Sequence, residues 1–194
     1  MPAFTNASSA MIPLLAADID TDQVIPAQFV NVRGQDRLKE ALFANRRRGE
    51  PDFVLNDPEM GARSIMLVGP NFGCGSSREA AAWALEAFGI RALIGTTFNE
   101  TCTNNCLQNG LLPGPLSPRD HAAIEAAFRR TPEAEIRVDQ NRQEVNFAGA
   151  TYGFRVDPFA RELLLKDQDE LDYLVAWRPA IEAYEAATSG GARP

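Results

Sequence analysis

The distribution of apolar residues in the middle of the chain predicts alternating strands and helices. Ser64 to Val68 is a compact apolar run bounded by glycines, which is the pattern of a buried strand. The alanine-rich stretch from Ser77 to Phe88 has high helix propensity, and Gly89 follows it where a helix cap is expected. Arg91 to Ile94 predicts the next strand. Because strand, helix and strand follow one another, we expect parallel pairing in an α/β core.

Shorter elements are predicted on either side of this unit. Expected strands are Ile12 to Leu15, Phe53 to Leu55, and a meander of segments at 135–138, 144–147 and 152–156. Expected helices are Asp36 to Phe43, Glu100 to Gln108, Ser117 to Arg129 with Ser117 as the N-cap, and the stretch from Pro158 to Glu185. The basic stretch Arg46 to Pro51 is predicted to be an exposed, mobile loop.

Composition indicates one folded domain and excludes two classes of partner. With 194 residues, 45% of them hydrophobic, the chain can bury a core, so we expect one domain over residues 1–187 and a disordered tail over 188–194. The net charge of -7 argues against nucleic-acid binding. No stretch approaches the ~20 apolar residues that span a membrane, and the first ten residues lack the charged region of a secretory signal.

The three cysteines, Cys74, Cys102 and Cys106, are odd in number and have no C-x-x-C spacing. They indicate neither a disulfide framework nor a metal or iron–sulfur site contained in this chain. Reduced thiols in the cytoplasm fit this pattern best. Cys74 is expected to be a small buried thiol rather than a nucleophile, because no histidine is near it in sequence.

Three further polar residues receive structural interpretations. His121, the one histidine of the chain, lies at a predicted helix start and is expected at the surface. Asp20 and Asp22 are expected to serve as turn and hydrogen-bonding residues, because their loop lacks the other acidic ligands of a calcium site.

The segment Asn71 to Glu79, between a predicted strand and a predicted helix, is the strongest candidate site. Gly73 and Gly75 let the backbone turn sharply, and the helix start directs N–H groups and a positive dipole end toward the loop. The segment lacks the lysine of a phosphate-binding Walker loop and the third glycine of a dinucleotide fingerprint. A polycarboxylate is therefore the expected ligand.

Two interpretations of the polar residues in this segment remain open. In the first, Ser76, Ser77 and Arg78 form a site, because two hydroxyls beside a guanidinium suit a carboxylate. In the second, Ser76 caps the helix and Glu79 reaches back to it, which is the spacing of a capping box and needs no ligand.

Five segments resemble, in chain order, the small-subunit family of 3-isopropylmalate dehydratase. They are Asp20 to Pro26, Pro51 to Asn56, Asn71 to Glu79 with Trp83 to Leu85, Asn109 to Pro113, and Ile181 to Glu185. The resemblance covers nearly the whole chain. It implies an α/β fold, the swivelling β/β/α domain of the aconitase and isopropylmalate isomerase type. It also implies a partner large subunit that holds a [4Fe–4S] cluster, with no cofactor or metal in this chain.

The resemblance implies roles for the residues of the candidate site. Ser76 matches the catalytic base of aconitase-type enzymes, which acts as an alkoxide. Ser77 and Arg78 match residues that bind the substrate carboxylate, with Gly75 beside them. An alkoxide needs strong stabilisation, which helix N–H groups and a guanidinium can provide.

Arg47 resembles a second carboxylate clamp of the family. Its neighbours Arg46 and Arg48 leave this assignment open by one position. The same three residues also fit a solvated basic turn with no ligand.

The function implied is the interconversion of 2-isopropylmalate and 3-isopropylmalate, in leucine biosynthesis, by loss and re-addition of water across a small dicarboxylate. Activity is expected only with the large subunit. Two departures from the family pattern concern the substrate: Ala80 replaces a histidine, and Thr97 to Asn99 replace Ser-Phe-Ala. The alternatives are a related subunit that acts on citramalate, dimethylmalate or another short hydroxy-diacid, and a carboxylate-binding module without catalysis.

Overall fold

The computed structural model describes residues 4–166, 168 and 170–188, which form a parallel and an antiparallel sheet, each of four strands. The strands are β1 (Asn6–Ser9), β2 (Met11–Leu14), β3 (Ile65–Val68), β4 (Ala92–Gly95), β5 (Leu112–Pro115), β6 (Ile136–Asp139), β7 (Glu144–Phe147) and β8 (Ala150–Gly153). The helices are α1 (Thr21–Val24), α2 (Gln35–Ala41), α3 (Ala44–Gly49), α4 (Glu79–Phe88), α5 (Glu100–Gln108), α6 (Pro118–Arg130), α7 (Pro158–Lys166), α8 (Glu170–Ala176) and α9 (Arg178–Thr188). The parallel sheet has the order β2-β3-β4-β5, and the antiparallel sheet has the order β1-β6-β7-β8.

The parallel sheet lies at the centre of the fold because both of its faces are apolar. In β3 the side chains of Met66 and Val68 belong to one core cluster, and those of Ile65 and Leu67 belong to the other. All four residues are fully buried. Since successive strand side chains point to opposite faces, a continuous apolar run is what a strand covered on both sides requires.

Helices cover one face of this sheet, and the antiparallel sheet covers the other. The first cluster contains Ala41 of α2, Leu85 of α4 and Cys106 of α5. The second contains Val138 of β6 together with Ile124 of α6. These layers confirm the predicted α/β fold with β/β/α architecture.

Most predicted elements are confirmed with small shifts of their ends. The strand-helix-strand unit is β3, α4 and β4, whose strands pair in parallel, although α4 begins two residues after the predicted Ser77. Helix α5 has the predicted bounds, and Ser117 caps α6 by accepting a hydrogen bond of 3.1 Å from the backbone N–H of Asp120. The meander is β6, β7 and β8. Thr188 ends α9, and the rest of the predicted tail, 189–194, lies outside the described residues.

Two predictions between residues 46 and 56 are wrong. The basic stretch predicted as a loop is mostly helix α3, and the strand predicted at Phe53 to Leu55 is a 3₁₀ turn at Val54–Asn56. Side-chain contacts stabilise the helix despite Gly49 at its end. Arg46 pairs with Glu50 one turn later, and its guanidinium lies 4.5 Å from the centre of the Phe53 ring.

Strand β5 is not predicted from sequence because Leu112–Pro115 contains two prolines, which ordinarily argue against a strand. Its inner N–H groups face β4: Leu112 donates to the carbonyl of Arg91 at 2.9 Å, and Leu116 donates to that of Gly95 at 2.7 Å. The alternate positions 113 and 115 therefore face the open edge of the sheet, where a proline loses no ladder hydrogen bond.

The surface position predicted for His121 is wrong. The residue is 7% exposed, and its Nε2 lies 2.9 Å from the carbonyl oxygen of Val68 at the end of β3. A carbonyl only accepts, so the ring nitrogen donates this hydrogen bond. The first turn of α6 thus anchors the strand that leads into the candidate site.

The C-terminal helices carry the exposed apolar surface of the described residues. The exposed large hydrophobic side chains of the described residues all lie on α7, α8, α9 or the turn between α8 and α9. They are Phe159, Leu171, Leu174, Val175, Trp177, Ile181 and Tyr184. Among the helices of the described part of the chain, none has the length and apolar character needed to cross a bilayer.

We expect His121→Leu to lower the free energy of unfolding by about 1–3 kcal/mol, because the Val68 carbonyl loses its buried donor. Urea unfolding followed by circular dichroism measures this. Arg119→Leu, at an exposed position two residues earlier on the same helix, is the matched control and should change stability by less than about 0.5 kcal/mol. Equal effects of the two substitutions would contradict a buried hydrogen bond at His121.

Candidate functional site

The candidate site lies at the carboxyl edge of the parallel sheet. Three segments meet there: residues 15–20 after β2, residues 69–78 after β3, and residues 96–99 after β4. Adjacent parallel strands all end on the same edge, and this edge is where α/β sheets commonly bind ligands. The loop predicted from sequence as the site is therefore held between two neighbouring loops.

Residues 97–99 hold the first part of the loop. The backbone N–H of Asn71 donates to Thr97 Oγ1 at 2.8 Å, and that of Phe72 donates to the Thr97 carbonyl at 3.2 Å. The N–H of Asn99 returns a hydrogen bond of 3.0 Å to the Phe72 carbonyl. The segment that departs from the family pattern thus supports the loop through its backbone and one hydroxyl.

Residues 19–21 hold the second part. The backbone N–H of Gly73 donates to the Ile19 carbonyl at 2.7 Å, and that of Thr21 donates to the Cys74 carbonyl at 3.0 Å. The Thr21 hydroxyl donates to the carbonyl of Ser76 at 2.8 Å. Ser76 itself is exposed at the surface rather than packed in the core, as access to a substrate requires.

Two glycines of the loop have positive φ, +75° at Gly73 and +86° at Gly75. At Gly73 there is a second constraint, since a Cβ there would lie 2.2 Å from the Sγ of Cys102. The loop backbone therefore lies directly on α5, and a side chain at this position would displace it.

The side chain of Arg78 is 19% exposed, and one nitrogen of its guanidinium is engaged. Its Nη1 donates to the Ile25 carbonyl at 3.2 Å and forms an ion pair with Asp22. Within the described part of the chain, neither Nε nor Nη2 of Arg78 has a hydrogen-bond partner. The Nε–Nη2 edge of the guanidinium can therefore accept a carboxylate in a two-point contact.

The capping-box interpretation is wrong. Helix α4 has Arg78, not Ser76, at its N-cap position, with no side-chain capping bond. Glu79 instead accepts a hydrogen bond of 3.3 Å from Asn109. The hydroxyls of Ser76 and Ser77, both exposed, are not used to cap this helix.

Two of the three neighbouring arginines on α3 are engaged with aromatic rings. Arg46 is paired with Glu50, whose pKa is lowered by that hydrogen bond, and stacks on Phe53. The guanidinium of Arg48 lies 5.5 Å from the centre of the Phe29 ring. Arg46 is therefore held by an ion pair and a ring, whereas the exposed Arg48 has a ring contact alone.

Arg47 is half-buried, and its Nη1 makes one long hydrogen bond of 3.4 Å, to the Lys39 carbonyl. Helix α3 joins α1 through a hydrogen bond of 2.8 Å from the N–H of Phe43 to the carbonyl of Val24. Among the described residues, no hydrogen bond or ion pair joins Arg47 to Ser76 or its neighbours. The structure thus brings Gly75 to Arg78 together and leaves Arg47 on the adjoining helix.

The cysteines do not form one ligand set. Cys74 is half-buried rather than buried as expected, and desolvation together with the carboxylates of Asp20 and Asp18 raises the pKa of its thiol. Cys102 and Cys106 are buried, and the hydrogen bond between them and burial raise the pKa of Cys106 well above its ordinary value. Across the described residues, no group of three Cys, His, Asp or Glu side chains could hold a metal ion. These thiols do not fit an iron–sulfur cluster.

A cavity of about 400 Å³ lies between α5, β5 and α7, and Phe98, which packs on Phe72 of the loop, forms part of its lining. Leu107, Pro113 and Leu163 are among its apolar lining residues, with Arg155 at its polar side. None of the residues predicted from sequence as site residues lines it.

Sequence reasoning missed the role of α1. The structural role expected of Asp20 is confirmed, since its Oδ1 caps α1 by accepting from Gln23 N–H at 2.7 Å. Asp22, expected as a turn and hydrogen-bonding residue, pairs with Arg78, a partner that was not predicted. Thr21 lies in the family-like segment Asp20 to Pro26, but no role was predicted for it. One signal was present: the segment follows β2, a predicted strand that had only to pair beside β3 for the two loops to meet.

The chain is similar to a known protein family and to named members of it. Residues 1–119 match the family described as Aconitase C-terminal domain. A 3-isopropylmalate dehydratase small subunit from Herpetosiphon aurantiacus is 42% identical over 182 residues, 94% of this chain and 91% of that protein. A protein of the same name from Anaeromyxobacter dehalogenans is 45% identical, over 91% of this chain and 94% of that protein. The chain belongs to this family of 3-isopropylmalate dehydratase small subunits, as its motifs predicted.

A solved structure supports the fold. The crystal structure of 3-isopropylmalate dehydratase from Methanocaldococcus jannaschii superposes with a TM-score of 0.68 and 22% sequence identity. The match covers 93% of this chain and 99% of that chain. The arrangement of sheets and helices described above is therefore that of a known architecture.

We expect Gly73→Ala to destabilise the protein by about 2–5 kcal/mol, because the left-handed backbone and the clash with Cys102 both oppose a Cβ. Gly89→Ala is the matched control: its φ is +108°, but nothing lies within 4 Å of a Cβ built there. It should cost only about 1–2 kcal/mol. Thermal unfolding measures both, and equal losses would contradict the close packing of the loop on α5.

Proposed function

We propose that the chain is the small subunit of a hydro-lyase that interconverts 2-isopropylmalate and 3-isopropylmalate by dehydration and rehydration. The observation that carries this proposal is the exposed Ser76 two residues before Arg78, whose Nε and Nη2 have no hydrogen-bond partner among the described residues. The names of the relatives support the same reaction. The pathway served would be leucine biosynthesis, in the cytoplasm, with residues 1–187 acting as one swivelling domain.

Ser76 would remove a proton from the carbon next to a substrate carboxylate. A serine hydroxyl is a very weak base, so the ionised oxygen needs positive charge close by. Arg78 supplies a guanidinium two residues away, and the N-terminus of α4 follows directly with its partial positive charge. Both are fixed before substrate arrives, which is the condition for effective electrostatic stabilisation of a developing charge.

The substrate would be held by its carboxylates. Ser77 and the Nε–Nη2 edge of Arg78 would bind one carboxylate, beside the open backbone at Gly75. Arg47 is our candidate for the second, because Arg46 and Arg48 are engaged with Phe53 and Phe29.

A [4Fe–4S] cluster would lie on a large partner subunit, since the thiols of this chain do not fit one. When bound, such a cluster supplies a Lewis acid for the departing hydroxyl. This chain contributes the base, the carboxylate ligands and the surface that meets the partner.

The apolar side chains of α8 and α9 support a protein partner at that surface. Isolated monomers rarely expose several large apolar side chains side by side. A second copy of this chain is a poor occupant, because the chain carries a net charge of -7 and Glu182 and Glu185 flank the apolar positions. We therefore assign this surface to the large subunit.

The substituent that the substrate carries is the open part of this proposal. Ala80, which replaces a histidine of the family pattern, is buried in the core, so this departure changes packing inside α4 rather than the exposed loop. Thr97 and Asn99 hold the loop from beneath. Neither observation favours citramalate or dimethylmalate, which remain alternatives for the assay.

We expect Ser76→Ala to reduce kcat by about 10²–10⁴-fold, the usual contribution of a general base. The assay mixes the chain with a cluster-bearing large subunit and follows absorbance on isopropylmalate, citramalate and dimethylmalate. Ser8→Ala, an exposed serine on β1, is the control and should leave kcat unchanged. Wild-type activity in the Ser76→Ala variant would contradict the assignment of Ser76 as the general base. Carboxylate binding without turnover under every pairing supports the non-catalytic module instead.

We expect Trp177→Ala and Leu174→Glu each to weaken binding of the large subunit by at least about tenfold, because buried aromatic and aliphatic anchors dominate interface energies. Both side chains are more than half exposed, 52% and 58%, so the fold should survive. Calorimetric titration with the large subunit measures this, and Arg119→Glu on α6 is the control. Unchanged affinity would place the interface elsewhere.

A further inference from the structure

We infer that α1 positions the catalytic groups: Thr21 fixes the backbone that carries Ser76, and Asp22 fixes the guanidinium of Arg78. The inference rests on the proposed function of the same site. Thr21 and Asp22 are adjacent in sequence, yet each contacts a different member of the site. Neither is a catalytic residue, because each acts through the residue that it holds.

Thr21 holds the loop at two points. Its N–H donates to the Cys74 carbonyl at 3.0 Å and its hydroxyl donates to the Ser76 carbonyl at 2.8 Å. Gly75 lies between these two carbonyls with a φ of +86°, and glycine is the residue least able to fix its own backbone. The two hydrogen bonds remove the freedom that Gly75 introduces.

The position of Thr21 suits this task. Its side chain is only 2% exposed, so solvent competes little for its hydroxyl. A β-branched side chain has few χ1 rotamers, so fixing its hydroxyl in one position costs little conformational entropy. Thr21 therefore holds the loop in a fixed position, through a hydrogen bond to a residue 55 positions later in the chain.

Asp22 holds one nitrogen of Arg78, and the other two have no hydrogen-bond partner among the described residues. Asp22 and the Ile25 carbonyl, at the two ends of α1, both contact Nη1. A guanidinium is planar, so fixing Nη1 also sets the direction of the Nε–Nη2 edge. Asp22 thereby orients the edge that would meet the substrate carboxylate.

Helix α1 is itself anchored, which it must be in order to position other groups. Asp20 caps its start, and the N–H of Ile25 closes its end on the Thr21 carbonyl at 2.9 Å. Val24 is buried, and its carbonyl accepts from Phe43 at 2.8 Å. The helix has only four residues, but it is fixed at both ends.

The two residues should affect different kinetic constants. A loose Ser76 lowers the chance of proton transfer in bound substrate, which lowers kcat. A misdirected Arg78 weakens the hold on the carboxylate, which raises KM. A general loss of folding would change neither constant of the folded fraction and would appear in thermal unfolding.

The first test compares Thr21→Val with Thr21→Ser in the assembled two-chain enzyme. Valine keeps the shape and loses the donor, and serine keeps the donor. We expect Thr21→Val to lower kcat by about 10–100-fold with KM within about threefold, because small misplacements of reacting groups have effects of this size. Thr21→Ser should restore kcat to within about threefold of wild type. Equal kcat in Thr21→Val and wild type overturns the role of Thr21.

The second test uses Asp22→Asn, with Glu125→Gln as control. The control removes the carboxylate of another surface ion pair, to Arg129 on α6. We expect Asp22→Asn to raise KM by roughly twofold to fivefold with little change in kcat, the size suited to an exposed pair. Glu125→Gln should leave both constants unchanged. A fall in kcat without a rise in KM overturns the role of Asp22.

A third measurement needs no turnover and separates this inference from the proposed function. Hydrogen exchange of the isolated chain, followed by mass spectrometry, should be at least about tenfold faster in Thr21→Val than in Thr21→Ser for the peptide that contains the Gly73 N–H, which donates to the Ile19 carbonyl two residues before Thr21. Equal exchange in the two variants would contradict the role of Thr21 in holding the loop, whatever reaction the site performs. If exchange changes as expected while Ser76→Ala retains full activity, Thr21 holds the loop but the proposed function is wrong.

Discussion

The parallel pairing of β2 with β3, from Met11 opposite Ile65 to Leu14 opposite Val68, brings two polar loops to one edge of the sheet. The loop after β2 continues into α1, and the loop after β3 carries the serines and the arginine of the site. Strands that pair in parallel end side by side, so this register decides which residues of the two loops meet. Every hydrogen bond from Thr21 to the loop depends on it.

The core makes this edge rigid, and the surface leaves it open. β3 is buried on both faces, and His121 holds the carbonyl at its end. Close packing of this kind resists small movements. Yet Ser76 and Ser77 are exposed, and Nε and Nη2 of Arg78 make no hydrogen bond to another residue of the described chain. Under the proposed function, a partner subunit would complete the enclosure of this rigid, exposed site.

Local pattern was a good guide where apolar spacing or capping residues were dense. The strand at β3, the helix α5 and the cap at Ser117 were predicted close to their observed positions. The pattern failed where a contact outside the element decides its structure. The basic residues of α3 predict a loop, but Arg46 stacks on Phe53, beyond the end of the helix. The prolines of β5 argue against a strand, but this strand lies at the edge of the sheet.

The sequence by itself determined the fold class, the family and the contiguous group from Gly75 to Arg78, because these depend on residue types and on short spacings. Only the tertiary structure decided that the serine is exposed, that α4 is not capped by it, and that Thr21 and Asp22 hold the group in place. The physical reason is distance along the chain. A contact between Thr21 and Ser76 spans 55 residues and depends on the register of two strands, which no local pattern specifies.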